Sequence, residues 1–169
     1  GGVFCADWSI ARLTDCNFVS YMTYVSISGI GGMWYLPAEW QEQPRQNFRV
    51  PSFGAGVFCS MDSSVAFVGC LFKENKTAYN TDYNIPGYEN ISNYDGEYTG
   101  SGGGLCLWYA DSSNITDCNF IGNAAPIGGG IYSIISDLTI TDSNLTNNTA
   151  YSGGGLLAID SIATISGAH

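Results

Sequence analysis

With 169 residues, 45% of them hydrophobic and 14% aromatic, the chain carries enough apolar material for one ordinary domain with a sizeable core, which argues against disorder. Five Lys and Arg stand against 15 Asp and Glu, a net charge of −10, so neither nucleic-acid phosphates nor an anionic membrane surface is an expected partner. No uncharged apolar run is long enough to span a membrane, the nearest being Gly153 to Ile165, which contains Asp160; with no CxxC and one terminal histidine, neither a metal nor a cofactor is expected.

The chain opens inside a glycine motif, Gly1-Gly2-Val3, with Asp15-Cys16-Asn17-Phe18 behind it, and Val3 lies fifteen residues before Phe18. The same fifteen-residue interval separates Met33 of Gly31-Gly32-Met33 from Phe48, Val57 of Gly56-Val57 from Phe72, and Leu105 of Gly103-Gly104-Leu105 from Phe120. Gly129-Gly130-Ile131 with Asp142-Ser143-Asn144-Leu145 repeats the unit, and Gly154-Gly155-Leu156 opens another, cut off at His169. The second glycines recur at 104, 130 and 155, a period of about 25 residues that belongs to stacked repeats and not to a single globular core. Six coils are therefore expected in a single domain over residues 1–169. The second is a degenerate, Pro-containing coil over about 21–53, and residues of about 79–101, rich in Tyr, Asn, Asp and Gly, form an inserted loop.

Within each unit the apolar residues alternate with polar ones, as in Leu138 and Ile140, Val65 and Phe67, with Ile162 and Ile165 nearby; this is the pattern of short strands with one buried face. Three short strands and their turns fit a 25-residue coil, and coils stacked at about 4.8 Å bury a continuous apolar column. The glycine pairs are expected where the backbone bends into positive φ. Asn75, Asn123 and Asn148 recur at one turn, where their amides can stack. The fold class is all-β, a parallel β-helix or β-solenoid.

The motifs Gly103-Gly104-Leu105, Gly129-Gly130-Ile131, Phe72-Lys73-Glu74-Asn75 and Phe120-Ile121-Gly122-Asn123 resemble the repeats of the polymorphic outer-membrane-protein type, within the pectate-lyase-like β-helix superfamily. Tyr21 and Pro51 stand where Asn is expected, and Leu145 replaces Phe. The resemblance implies a right-handed β-helix, display outside the cell or on its surface, adhesion or scaffolding, and no catalytic residues.

Six cysteines fall two to a coil: Cys5 and Cys16, Cys59 and Cys70, Cys106 and Cys118. Both-or-none occupancy favours the in-coil disulfides Cys5-Cys16, Cys59-Cys70 and Cys106-Cys118. The rival is vertical pairing between adjacent coils, whose spacing of about 4.8 Å lies inside the disulfide range; a coil over 21–53 would deprive Cys5 and Cys16 of such partners. Free thiols filling the core as small apolar groups are the third reading. Asn-x-Ser/Thr sequons at Asn75, Asn90, Asn114, Asn144 and Asn147 offer N-glycan sites, with Asn90 and Asn144 the best acceptors and Asn75 equally explained as a ladder residue.

Tyr79, Tyr83, Tyr88, Tyr94 and Tyr98 give the inserted loop flat aromatic faces suited to a glycan or protein partner, and Trp34, Tyr35 and Trp40 are candidate subunit contacts. Polysaccharide lyase or hydrolase chemistry needs clustered carboxylates beside cations. The only cations are Arg12, Arg45, Arg49, Lys73 and Lys76, and Asn80-Thr81-Asp82 lacks the companions that would make it a hydrolase site. The leading expectation is a structural, non-enzymatic subunit of an extracellular fibre or surface layer. It would pair head to tail with its own copies or with further coils, braced by disulfides and carrying N-glycans. A surface adhesin or glycan-binding module using the Tyr-rich loop is the alternative.

Overall fold

The computed structural model describes residues 2–24, 54–78 and 100–169. Among them there is no helix; every regular element is a short strand, and every strand pairing is parallel. The first row consists of β1 (Val3–Cys5), β2 (Ile10–Thr14), β3 (Asn17–Val19) and β4 (Met22–Tyr24), and the second of β5 (Val57–Ser60), β6 (Ser64–Val68), β7 (Leu71–Lys73) and β8 (Lys76–Ala78). The third row holds β9 (Leu105–Trp108), β10 (Ser112–Thr116) and β11 (Asn119–Ile121), the fourth β12 (Ile131–Ile134), β13 (Asp137–Thr141) and β14 (Asn144–Thr146), and the fifth β15 (Leu156–Ile159) and β16 (Ile162–Ser166).

Each strand pairs with its equivalent in the next row. The sheets run β1-β5-β9-β12-β15, β2-β6-β10-β13-β16 and β3-β7-β11-β14, with β4-β8 as a two-stranded fourth, an arrangement compatible with a β-solenoid. Rows one and two are direct neighbours, since Val3 pairs with Val57, Leu13 with Phe67 and Phe18 with Phe72. The degenerate coil expected over 21–53 therefore does not intervene between them, and residues 25–53 lie outside the described residues. The expected insertion also ends earlier than residue 101: Ser101 already bridges Ile127 and accepts the Gly54 amide at 2.9 Å, as part of row three.

Strict alternation places the core. Val65 and Phe67, Ser113 and Ile115, and Leu138 and Ile140 point inward and are buried, while their neighbours on β6, β10 and β13 face outward. Ile165 continues the Ile140 column, but Ile162 registers with Asp137 on the outer side of its sheet, so it is not a core residue. Along the third sheet the rings of Phe18, Phe72 and Phe120 stack, with centroids 4.9 Å and 4.3 Å apart, and Leu145 takes the next place.

Corners between sheets are made by left-handed residues in columns. Asp15, Gly69, Asp117, Asp142 and Gly167 all have positive φ between the second and third sheets, as do Gly54, Gly102, Gly128 and Gly153 ahead of the first. Asp suits such corners because its short side chain tolerates the left-handed region. The glycine pairs themselves serve another purpose than the one the sequence pointed to. Gly104 and Gly130 do not have positive φ; a Cβ on either would lie 2.8 and 2.5 Å from the carbonyl oxygen of the equivalent glycine one row on. They are glycines because consecutive rows approach there too closely for any side chain.

Candidate functional site: the ladders and the cysteine columns

At the turn after the third sheet, Asn75, Asn123 and Asn148 form a continuous amide ladder. Asn75 Nδ2 donates to Asn123 Oδ1 at 2.9 Å and to the Phe18 carbonyl at 2.8 Å; Asn123 Nδ2 repeats this with Asn148 Oδ1 and the Phe72 carbonyl, and Asn148 Nδ2 donates to the Phe120 carbonyl. Each Oδ1 also accepts the backbone N–H of the row before, from Tyr21, Asn75 and Asn123. A turn that would bury orphan backbone groups is thereby satisfied. Tyr21, in row one, departs from the Asn pattern and contributes only its backbone N–H to the ladder.

The cysteines fall into two columns that run along the stack. Cys5 and Cys59 are register partners on β1 and β5, and both face the core. Hydrogen bonding toward the neighbouring Cys59 thiol holds the Cys5 thiol down to about 7 despite its burial, while the same pairing and burial push Cys59 up. At the corner after the second sheet stand Cys70 and Cys118, preceded by Cys16 and followed by Ser143. The Cys70 N–H donates to Cys118 Sγ at 3.4 Å, the Cys118 N–H donates to Ser143 Oγ at 3.0 Å, and Cys16, Cys70, Cys118 and Ser143 each donate to the carbonyl two residues back. Burial pushes the Cys118 thiol up to about 11 and that of Cys70 in the same direction. Ser136 and Ser161 make the same kind of ladder at the preceding corner, the Ala110 N–H donating to Ser136 Oγ and the Ser136 N–H to Ser161 Oγ.

Cys106 belongs to neither column. It pairs in register with Phe58, one residue out of phase with Leu105 and Leu107, so it faces the opposite side of its sheet from the core that holds Cys118. Burial pushes its thiol well above the ordinary range. The structure thus brings Cys5 to Cys59 and Cys70 to Cys118 between rows, and it does not bring Cys106 to Cys118 within one. With no coil between them, row one has a cysteine-bearing neighbour in row two.

Of the sequons, Asn75 is fully buried with both amide hydrogens donated, so in the folded chain it is a ladder residue and has no room for a glycan. Asn114 and Asn147 are exposed, and Asn144 is half-buried, its amide donating to Asn119 Oδ1 at 2.9 Å. Asn90, Trp34, Tyr35, Trp40, Tyr79, Tyr83, Tyr88, Tyr94 and Tyr98 lie outside the described residues. Among the described residues no group of three or more His, Cys, Asp or Glu side chains is placed to hold a metal ion, and no helix is long and apolar enough to cross a membrane.

The corner ladder was present in the sequence as a dipeptide that spacing of Gly and Phe overlooked: Asp15-Cys16, Gly69-Cys70, Asp117-Cys118, Asp142-Ser143 and Gly167-Ala168 each couple a left-handed residue to a small one. No family model matches the chain, and no curated protein or solved structure shows significant similarity to it.

Proposed function

We propose that the chain is a structural subunit, a right-handed parallel β-helix of the polymorphic outer-membrane-protein type, that extends end to end into an extracellular fibre or surface layer and performs no catalysis. Gly155 carries this reading. In rows one to four the equivalent residues Gly2, Gly56, Gly104 and Gly130 each lie with a Cβ position 2.9 Å or less from the glycine carbonyl of the following row. At Gly155 the nearest atom to such a Cβ is Leu145 Cβ at 3.6 Å, an ordinary contact, so nothing within the stack requires glycine there. Glycine at 155 becomes necessary when another row lies over row five at the same close approach. Ala163 and Ile165, in register with the buried Leu138 and Ile140, are exposed on that face, and Val3, Ala11 and Leu13 are only half-buried on the opposite one. The covering row is supplied by further coils or by row one of a second copy, which matches row five in sheet direction and in its core-facing apolar residues; between copies the contact, being heterologous, repeats without closing.

The test is negative-stain electron microscopy with mass photometry over a range of concentrations. Filaments with an axial repeat of roughly 24 Å or more, the five described rows at about 4.8 Å each, are expected from the unmodified chain, and none from Gly155→Ala. Discrete monomers of the unmodified chain at every concentration would overturn the proposal.

A further inference from the structure

We infer that Cys5 and Cys59 are joined by a disulfide that locks row one to row two, formed by exchange with a disulfide donor of the oxidised-glutathione class. The register places the two Cα atoms opposite one another on adjacent parallel strands. Neighbouring strands are about 4.8 Å apart, inside the span of Cα separations that a disulfide bridges. Both side chains point to the core from directly paired positions, so closing the bridge requires no change of sheet or register.

The partner is unambiguous along this column. After Cys5 and Cys59 it continues with Leu107, Ser133 and Ala158, so no third thiol competes. The corner column is different in kind. There, three cysteines stand one above another, and each thiol donates to the carbonyl two residues behind it, as the Ser143 hydroxyl does. Those thiols do what a serine does in the same place, and Cys70 has a cysteine in the row on either side, whereas Cys5 and Cys59 have only each other along their column.

Exchange proceeds in two steps. Cys5, as the thiolate, attacks one sulfur of the donor, forming a mixed disulfide and expelling one donor thiolate, which takes up a proton. Cys59 then loses its proton and attacks the Cys5 sulfur, expelling the second donor thiol. Two protein thiols are oxidised to one disulfide and one donor disulfide is reduced to two thiols.

The experiment is a cysteine map of the unmodified chain. The protein is equilibrated with oxidised glutathione, remaining thiols are capped with iodoacetamide, and the denatured, unreduced chain is cut with trypsin and an Asp-specific protease. Cleavage at Asp7, Arg12, Asp15, Arg45, Arg49, Asp62, Lys73, Asp95, Asp111 and Asp117 puts each cysteine on its own peptide. The expected product is the Cys5 peptide joined to the Cys59 peptide. Cys5 recovered capped, or joined to Cys16 or to any cysteine other than Cys59, overturns the inference. Cys59→Ser is expected to abolish the linked product and Cys70→Ser to leave it in full; because the decisive map uses the unmodified chain, it does not depend on how well either variant folds.

Discussion

Asn123 Oδ1 accepts two hydrogen bonds from Asn75, one from its side-chain amide at 2.9 Å and one from its backbone N–H at 3.0 Å. Both side chains are fully buried, so one oxygen satisfies two donors that water does not reach. Asn123→Ala strands those two donors, each costing about 1 to 3 kcal/mol when buried without a partner. The expected loss is about 3 to 5 kcal/mol, read from the urea midpoint. Asn119→Ala, which removes one half-buried side-chain bond to Asn144, should cost less than about 1 kcal/mol. Equal losses for the two variants would refute the ladder as a stabilising element.

Phe120 lies 4.3 Å from Phe72 with the rings 4° from parallel, and both are fully buried. Phe120→Ala opens a cavity in the middle of the stack and should cost about 3 to 5 kcal/mol. Phe120→Leu copies what row four already has at Leu145, and should cost about 1 to 1.5 kcal/mol. Thermal unfolding of the two variants side by side checks this; a Leu variant as damaged as the Ala variant would mean that the column depends on ring stacking more than on volume.

Much of this architecture was legible because a stack repeats its chemistry. Leu105 and Phe120, Val57 and Phe72, and Val3 and Phe18 keep one interval because each pair occupies equivalent positions on the first and third sheets. The ladder at Asn75, Asn123 and Asn148 was visible for the same reason. Met33 and Phe48 share the interval, yet rows one and two are adjacent without them; Arg45-Gln46 stands where the other units have Asp-Cys, Gly-Cys or Asp-Ser, so the corner chemistry was missing there. Vertical neighbours were harder to read, because pairing between rows depends on which rows are adjacent. That is why Cys59 was not visible as the partner of Cys5.

Gly130 and Gly155 occupy one motif position but face different surroundings. A Cβ at Gly130 meets the Gly155 carbonyl oxygen at 2.5 Å, and backbone must move to admit it, whereas at Gly155 the nearest atom is 3.6 Å away. Gly130→Ala should therefore lose about 2 kcal/mol or more. Gly155→Ala should stay within about 0.5 kcal/mol of the unmodified chain, or gain slightly through a stiffer unfolded state. Denaturation of dilute protein, below any assembly, separates the two; a Gly155→Ala loss as large as that of Gly130→Ala would remove the basis for its use as an assembly variant.

A bridge from Cys5 to Cys59 closes a 54-residue loop and, in the chain-entropy picture, should stabilise the fold by about 4 kcal/mol, against about 3 for an 11-residue loop closed within one row. Reduction of the oxidised chain should then lower Tm by roughly 10 °C, at about 2 to 4 °C per kcal/mol for a chain of this size. The difference between loop lengths is too small to identify the pair, which is the task of the peptide map. Cys5→Ser should remove the redox dependence of Tm, and Cys106→Ser should leave it unchanged. A Tm that does not respond to reductant in the unmodified chain would count against a stabilising bridge.

The neighbouring Cys59 thiol sets when Cys5 reacts. The thiolate is the nucleophile, and Cys5 is held at about 7 because hydrogen bonding toward Cys59 favours its charged form more than burial opposes it. Its alkylation by iodoacetamide in the reduced chain should therefore rise as pH increases through about 7 and level off above, following the thiolate fraction. Cys106, whose burial disfavours the thiolate, should remain unlabelled over the same range. Cys59→Ala removes the donor and leaves only burial acting on Cys5, so the midpoint should move up, to higher pH. Labelling rates followed on the Cys5 peptide by mass spectrometry decide it. A midpoint in the ordinary thiol range that Cys59→Ala leaves in place would show that the two thiols do not share a proton, and would leave exchange at Cys5 without its activating contact.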